Sequence, residues 1–374
     1  MEKKALFFNV LVKFKNPIFL YCNDWDIQKI MLKYSFKKLL LVFTCCQVFL
    51  AMSQDPTFSQ FYTAGLYLNP AIIALEETAT LSAHSRTQWR ETGANFQTNQ
   101  LSVMVPIPRK EVLEGFWGGV GISAFQDKSV NGTLNTGGVN VTFSTNVKMS
   151  KKSQVTLGIQ GGMIQKSVDL NSFTWASQYN PFIGYDGSID PGIGGIGNKV
   201  FLPDVSAGVL YFYNYNEDFN DSKMDGYVGL SAYHLNQANE ALVTGATSKL
   251  PILYKLHAGL DIQLGYKMSL NPNVLVTLQA DNMQVNAGTY FNYLFSPLVE
   301  RWNPAFVMIG GWYRLQDAFI MSAGMGGAYY TLAFSYDMNA SSLRDVVGNA
   351  SAYELSLKLK KPAKKLKSHH TPRM

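Results

Sequence analysis

From Tyr254 to Lys267 the chain changes character at every residue. Tyr254, Leu256, Ala258, Leu260, Ile262, Leu264 and Tyr266 alternate with Lys255, His257, Gly259, Asp261, Gln263, Gly265 and Lys267. Alternation this long points to an extended strand with one apolar and one polar face. The same phase recurs in Val139, Val141, Phe143, Thr145 and Val147 against Asn140, Thr142, Ser144, Asn146 and Lys148. It returns in Tyr353, Leu355, Leu357 and Leu359 against Glu354, Ser356, Lys358 and Lys360. Strands of soluble sandwiches run nearer five or six residues. Strands of about ten residues with a tyrosine at each end of the apolar row are those of a membrane barrel, with a lipid band bracketed by aromatics and a polar lumen behind it.

Segments of this kind occupy approximately residues 79–89, 97–105, 117–128, 136–148, 153–167, 202–214, 224–235, 252–266, 273–281, 284–294, 305–314, 318–326, 329–337 and 351–360, with Gly, Asn, Asp or Pro between them. The expected fold is an all-β transmembrane antiparallel β-barrel of about 14 strands, roughly 12–16, with an irregular N-terminal segment. With both ends periplasmic, the outer loops fall near 90–96, 129–135, 168–201, 236–251 and 338–350. The largest, Val168 to Phe201, is rich in Gly, Pro and aromatics.

The start of the chain reads as export machinery. Lys37 and Lys38 precede an uncharged run from Leu39 to Met52, and Ala51-Met52-Ser53 supplies small residues for a signal peptidase. The expected divisions are 1–30 as an upstream extension from a mis-assigned start, 31–53 as signal peptide cut between Ser53 and Gln54, 54–77 as a plug or mouth segment, 78–360 as the barrel, and 361–374 as a basic tail. Cys22, Cys45 and Cys46 all precede the cut, so the expected mature chain has no thiol, which excludes a disulfide scaffold or a Cys-liganded metal. Processing also removes 8 of 32 Lys+Arg and 3 of 26 Asp+Glu, which takes the net charge from +6 to near neutrality. The remaining bases concentrate at the C-terminus without interleaved aromatics, which gives no case for nucleic acid.

Residues 54–77 keep neither a two-residue nor a 3.6-residue period, and Pro56 and Pro70 each restrict the residue before them. Phe58, Phe61, Tyr62, Asn69, Pro70 and Ala71 mark this segment. A barrel lumen is one place where irregular backbone can be buried at membrane depth, so the segment is expected to enter or line the barrel mouth; a periplasmic tail is the plainer alternative. On the polar phase, His84, Arg86, Lys255, His257 and Asp261 are candidates for a luminal charge network that holds it, with solvation in a wet pore as the other reading.

Taken together, the pieces Gln54-Asp55-Pro56-x-Phe58-Ser59-Gln60-Phe61, Leu68-Asn69-Pro70-Ala71, Ser85-Arg86-Thr87-Gln88-Trp89, Tyr227-Val228-Gly229-Leu230-Ser231 with His234-Leu235, Gly310-Gly311-Trp312-Tyr313-Arg314, Phe334-Ser335-Tyr336-Asp337 and Tyr353-Glu354-Leu355 resemble the PorP/SprF outer-membrane proteins of type IX secretion and gliding motility. The resemblance implies a non-enzymatic protein of a Gram-negative outer membrane. Its expected partners are membrane lipid, the type IX translocon and its periplasmic lipoproteins, and secreted surface adhesins. The Lys-rich tail from Pro362 onward departs from the family pattern. A fatty-acid-channel-like transporter of hydrophobic small molecules is the alternative, since Asn69-Pro70-Ala71 before about fourteen strands also resembles that family, and an open porin is third.

No catalytic, cofactor or metal site is expected. Ser82 and His84 share a face, but it is the luminal one, away from any lipid substrate. His84, His234 and His257 stand on different strands. The run Gly192 to Gly197 has no helix after it and reads as loop flexibility.

Overall fold

The computed structural model describes residues 55–76, 78–90, 95–108, 116–129, 132–150, 152–214, 224–296, 305–341 and 350–361. The expected cleavage site Ser53/Gln54, the segments 1–30 and 31–53, and the tail beyond Lys361 lie outside the described residues.

Fourteen antiparallel strands close into a barrel. They are β1 Thr80–Gln88, β2 Phe96–Pro108, β3 Phe116–Ser129, β4 Leu134–Lys148, β5 Ser153–Val168, β6 Lys199–Asn214, β7 Met224–Tyr233, β8 Leu253–Gln263, β9 Met268–Gln279, β10 Asn282–Leu294, β11 Phe306–Arg314, β12 Ala318–Gly326, β13 Tyr330–Asn339 and β14 Ala350–Lys360. Each strand pairs with the next in the chain, and β14 returns to pair with β1 in a nine-residue register from Thr80↔Lys360 to Gln88↔Ala352. No described helix is long and apolar enough to cross a membrane; in this fold the strands cross it.

The alternation of the sequence becomes the two faces of the wall. Val139, Val141, Phe143 and Val147 of β4 are exposed on the outside, while Asn140, Thr142 and Ser144 between them are buried in the lumen. The expected extents shift at prolines and tyrosines. Pro272 stands inside β9, leaving out one ladder donor, so that strand begins at Met268 rather than just after the proline, and β6 begins at Lys199, with Pro203 inside it as expected. In β8 the row stops at Gln263. Leu264 donates its N–H to the Met268 carbonyl at 2.9 Å, Gly265 takes φ +137°, and Tyr266 projects from a tight turn rather than ending the strand.

The two longest loops share one end, as in bacterial outer-membrane barrels, whose long loops face outward. One end carries 169–198 and 234–252, which bond to each other through Gly197 N to Leu242 O (2.7 Å) and Thr244 N to Gly195 O (2.8 Å). Loop 169–198 also folds a small hairpin that pairs Tyr179–Asn180 with Gly184–Tyr185. The other end carries turns such as 149–152 and 264–267. The apolar core lies inside the barrel. Phe61, Tyr62 and Leu68 pack there with Leu275, Tyr290, Leu294, Phe306, Met308 and Trp312.

Candidate functional site

Residues 55–76 run through the lumen as three short 3-10 turns, Phe61–Thr63, Gly65–Tyr67 and Pro70–Leu75. Without strand partners, this backbone closes its own bonds: Thr63 N to Gln60 O at 3.0 Å, Leu68 N to Gly65 O at 2.9 Å, Glu76 N to Ile73 O at 3.0 Å. Asn69 caps the last turn by accepting from Ala71 N at 2.9 Å, and Pro70 takes the first position, where a missing N–H costs nothing. Phe58, Phe61, Tyr62, Asn69, Pro70 and Ala71 are all buried. Tyr62 stacks on Trp312 at 5.3 Å and meets Tyr290 edge-on at 4.6 Å, arrangements favoured by the ring quadrupole.

The segment is held on two walls. On the first, Glu354 of β14 accepts from the backbone N–H of Ser59 (2.7 Å) and of Gln60 (3.1 Å). Arg86 of β1 contacts Glu354 at 3.4 Å and Asp337 of β13 at 3.0 Å, and Arg314 of β11 reaches the same Asp337 oxygen at 3.1 Å. Ser59 sits at the centre: its hydroxyl accepts from both arginines and donates to Asp337 at 2.7 Å. Four charged side chains, nearly or wholly buried, are tolerable here because each has opposite charge and hydrogen bonds around it.

On the second wall, the Asn69 amide donates to the carbonyls of Val209 (β6, 3.1 Å) and Leu230 (β7, 3.3 Å) and meets His257 Nε2 (β8) at 3.0 Å. Ser231 and Tyr233 donate to the carbonyls of Leu68 (2.8 Å) and Leu66 (2.9 Å). Lys255 donates to the Tyr67 carbonyl and lies over the Tyr67 and Tyr233 rings, 3.9 and 4.5 Å from their centroids.

A third contact secures the start of the described chain at the loop end. His234, at φ +60°, sits between Asp204 (2.7 Å) and Asp55 (2.6 Å). Burial alone would lower the His234 pKa, but its bonds to Asp204 and Asp55 push it up to about 9. Burial would raise the Asp55 carboxyl, and the bond from His234 holds it below its ordinary value. At the turn end, burial likewise opposes ionisation of Glu76, and the Lys358 ammonium 2.7 Å away outweighs it and keeps the carboxyl low.

The five candidates for one charge network therefore fall in three places. His84 and Arg86 stand beside Glu354, with His84 Nδ1 3.7 Å from that carboxylate. Lys255 and His257 stand on the second wall, each on a different residue of the segment. Asp261 lies further along β8, accepting from Gln263 at 3.2 Å.

Sequence reasoning missed the glycines that let the segment lie close. A Cβ at Gly119 would come 2.3 Å from the Ile73 side chain, at Gly121 2.8 Å from Leu66, at Gly158 2.3 Å from the Pro70 carbonyl carbon, and at Gly208 2.0 Å from Asn69 Oδ1. Their one signal was glycine at luminal positions inside strands, where close backbone approach is a standard reason for it.

A cavity of about 30 Å³, room for a water molecule or two, remains between the segment and β2–β8. Asp55, Gln100, Asn140, Asp204, His234 and Lys255 share its lining with Leu66, Phe125 and Ile164. It is not the continuous apolar pocket that a carrier of hydrophobic molecules needs. Among the described residues, no group of three His, Cys, Asp or Glu is placed to hold a metal.

A closed barrel of fourteen strands, apolar outside and filled from within by its own N-terminal segment, defines an outer-membrane β-barrel protein with an occupied lumen. The type IX secretion system membrane protein PorP/SprF family model matches residues 51–359, and the chain belongs to that family. No curated protein matches it significantly. Among solved structures it is similar to a Pseudomonas aeruginosa FadL homologue (12% identity, 83% of this chain and 99% of that one, TM-score 0.43) and to the Ralstonia pickettii toluene transporter TbuX (11%, 82% and 94%, TM-score 0.44). The Pseudomonas putida toluene transporter TodX is at the same distance (11%, 80% and 93%, TM-score 0.43). Likeness at this level carries nothing about what this chain transports or binds.

Proposed function

We propose that this protein is a non-catalytic outer-membrane component of the type IX secretion and gliding machinery. It works with the translocon and its periplasmic lipoproteins, or receives secreted adhesins at the cell surface. The observation that carries the reading is the family match across residues 51–359. The filled lumen agrees with it: with Phe61, Tyr62, Leu66 and Leu68 buried across the bore, the protein offers its two ends and its outer wall to partners rather than a passage. Residues 31–53 serve as signal peptide, and the chain works from Gln54 onward.

The test is affinity purification of the intact complex from detergent-solubilised outer membrane, alongside the level of surface adhesins in a strain lacking the protein. Type IX components should co-purify, and one or more surface proteins should fall. A barrel purified alone from cells whose surface proteins are unchanged would refute the proposal. N-terminal mass spectrometry of the same sample should find Gln54, or a residue within about two of it, first; a chain retaining Met1 would remove the export argument.

A further inference from the structure

Every ladder of the barrel but one joins strands that follow each other in the chain and are tied by a connecting loop. The exception is β14 to β1, whose paired residues are separated by nearly the whole barrel sequence. A contact between such distant residues carries the largest closure entropy and has no covalent tie to hold it. It is therefore the ladder that most needs an added tie.

The N-terminal segment touches this seam at three levels. At the turn end, Glu76 accepts from Thr80 of β1 (3.1 Å) and from Lys358 of β14 (2.7 Å). In the middle, Gln60 and Thr63 are joined in one turn, Thr63 Oγ1 donating to Gln60 O at 2.8 Å. Gln60 Oε1 accepts from Ser356 of β14 at 2.6 Å, and the Thr63 carbonyl meets His84 of β1 at 3.1 Å. Toward the loop end, Ser59 takes Arg86 of β1 through its hydroxyl and Glu354 of β14 through its N–H. His84 is the cross-strand partner of Ser356, and Arg86 of Glu354. Each tie thus spans the join, with one end on the first strand and the other on the last.

We propose that residues 59–76 are an internal latch for the closing seam. They staple β1 to β14 from the lumen, so that lifting the segment loosens this one ladder while the loop-connected ladders stay closed. The proposal rests on the barrel and its contacts and stands apart from the secretion reading, so the two fail separately.

The expected mature chain has no cysteine, which allows a direct test in native outer membranes. The readout is the temperature at which the SDS-resistant barrel converts to its unfolded electrophoretic form. The double variant Ser59→Ala/Gln60→Ala should lower that midpoint by about 5–10 °C, and Glu76→Gln, at the opposite end of the latch, by less. A disulfide across the seam, Ser85→Cys with its register partner Leu355→Cys, should restore the midpoint in both backgrounds. A control disulfide across β4 and β5, Phe143→Cys with Ile159→Cys, should not. If the double variant does not accumulate, Glu76→Gln with the two disulfides decides alone. An unchanged midpoint in the latch variants, or equal rescue by the control disulfide, overturns the proposal.

Discussion

Gly158 and Gly161 lie three residues apart on β5, and an alanine at each asks a different question of the same strand. At Gly158 the added carbon would stand 2.3 Å from the Pro70 carbonyl carbon, 2.4 Å from Ala71 N and 2.6 Å from the Pro70 oxygen. All three are backbone atoms, so no side-chain rotation relieves the clash and the segment must move. At Gly161 the carbon would meet nothing within 4 Å. The strand gains up to about 1 kcal/mol from either alanine through the lost freedom of glycine. Overpacking at Gly158 costs about 1–3 kcal/mol, and that cost falls on docking of the segment rather than on the ladder. A penalty of that size raises the displaced population about 5- to 150-fold. A single cysteine at Ala74, 2% exposed, reports it through its rate of modification by a small methanethiosulfonate. Gly158→Ala should speed labelling by that factor, and Gly161→Ala should leave it unchanged. Equal rates in the two variants would show that the segment does not depend on this close approach, and the account of the luminal glycines would fall.

Glu354→Ala removes the acceptor of two backbone N–H groups and one partner of Arg86; breaking such a buried pair costs about 3–5 kcal/mol. Since Asp337 still faces Arg86, the lower end is expected, read as a fall in the midpoint of electrophoretic conversion, with Glu354→Gln retaining part of the loss. The His234–Asp55 contact should depend on pH. The His234 pKa is raised from 6.5 to about 9, so its contribution is complete below 6.5 and disappears as pH rises through 9. The Asp55 pKa is lowered from 3.8, so its contribution is present above 3.8 and disappears as pH falls through the lowered value. The midpoint should therefore be highest between about pH 4 and 6.5, and His234→Gln should flatten the alkaline slope. On β8, cysteines at Leu256 and Leu260 should resist a membrane-impermeant thiol reagent because they face lipid. One at His257, 1% exposed, should resist because Asn69 covers it, and should become reactive when residues 57–75 are deleted.

The barrel was legible because lipid outside and polar side chains inside impose opposite demands on neighbouring residues, which a period of two records directly. Its strand ends were less so: Pro272 read as a break although the ladder runs past it, and Tyr266 read as a girdle residue although a turn holds it. For the lumen, alternation told which face His84, Arg86, Lys255, His257 and Asp261 occupy. It could not tell how far apart around the ring they stand, because that distance is set by strand order and stagger. Arg314 and Asp337 close the family-like pieces Gly310–Arg314 and Phe334–Asp337, but nothing in the alternation joined either of them to the cluster at Arg86. The N-terminal segment was marked by irregular aromatics, but most of its bonded partners, from Val209 to Ser356, lie 140 to 296 residues away, and the glycines beneath it have no side chain to carry a signal.

The two walls that hold the segment are half the ring apart: β1 and β14 on one side, β7 and β8 on the other. Mechanically this is a hoop with a beam across one diameter. Such a hoop resists squeezing along the beam, and the beam is braced to either side, by Phe61 and Tyr62 on β10 and β11 and by Ile73 and Pro70 against Gly119 and Gly158. A load applied at β8 passes through Lys255 and Tyr67 to Ser59 and the opposite wall without travelling around the circumference. Forces across the bore are therefore carried by roughly twenty residues that belong to no strand.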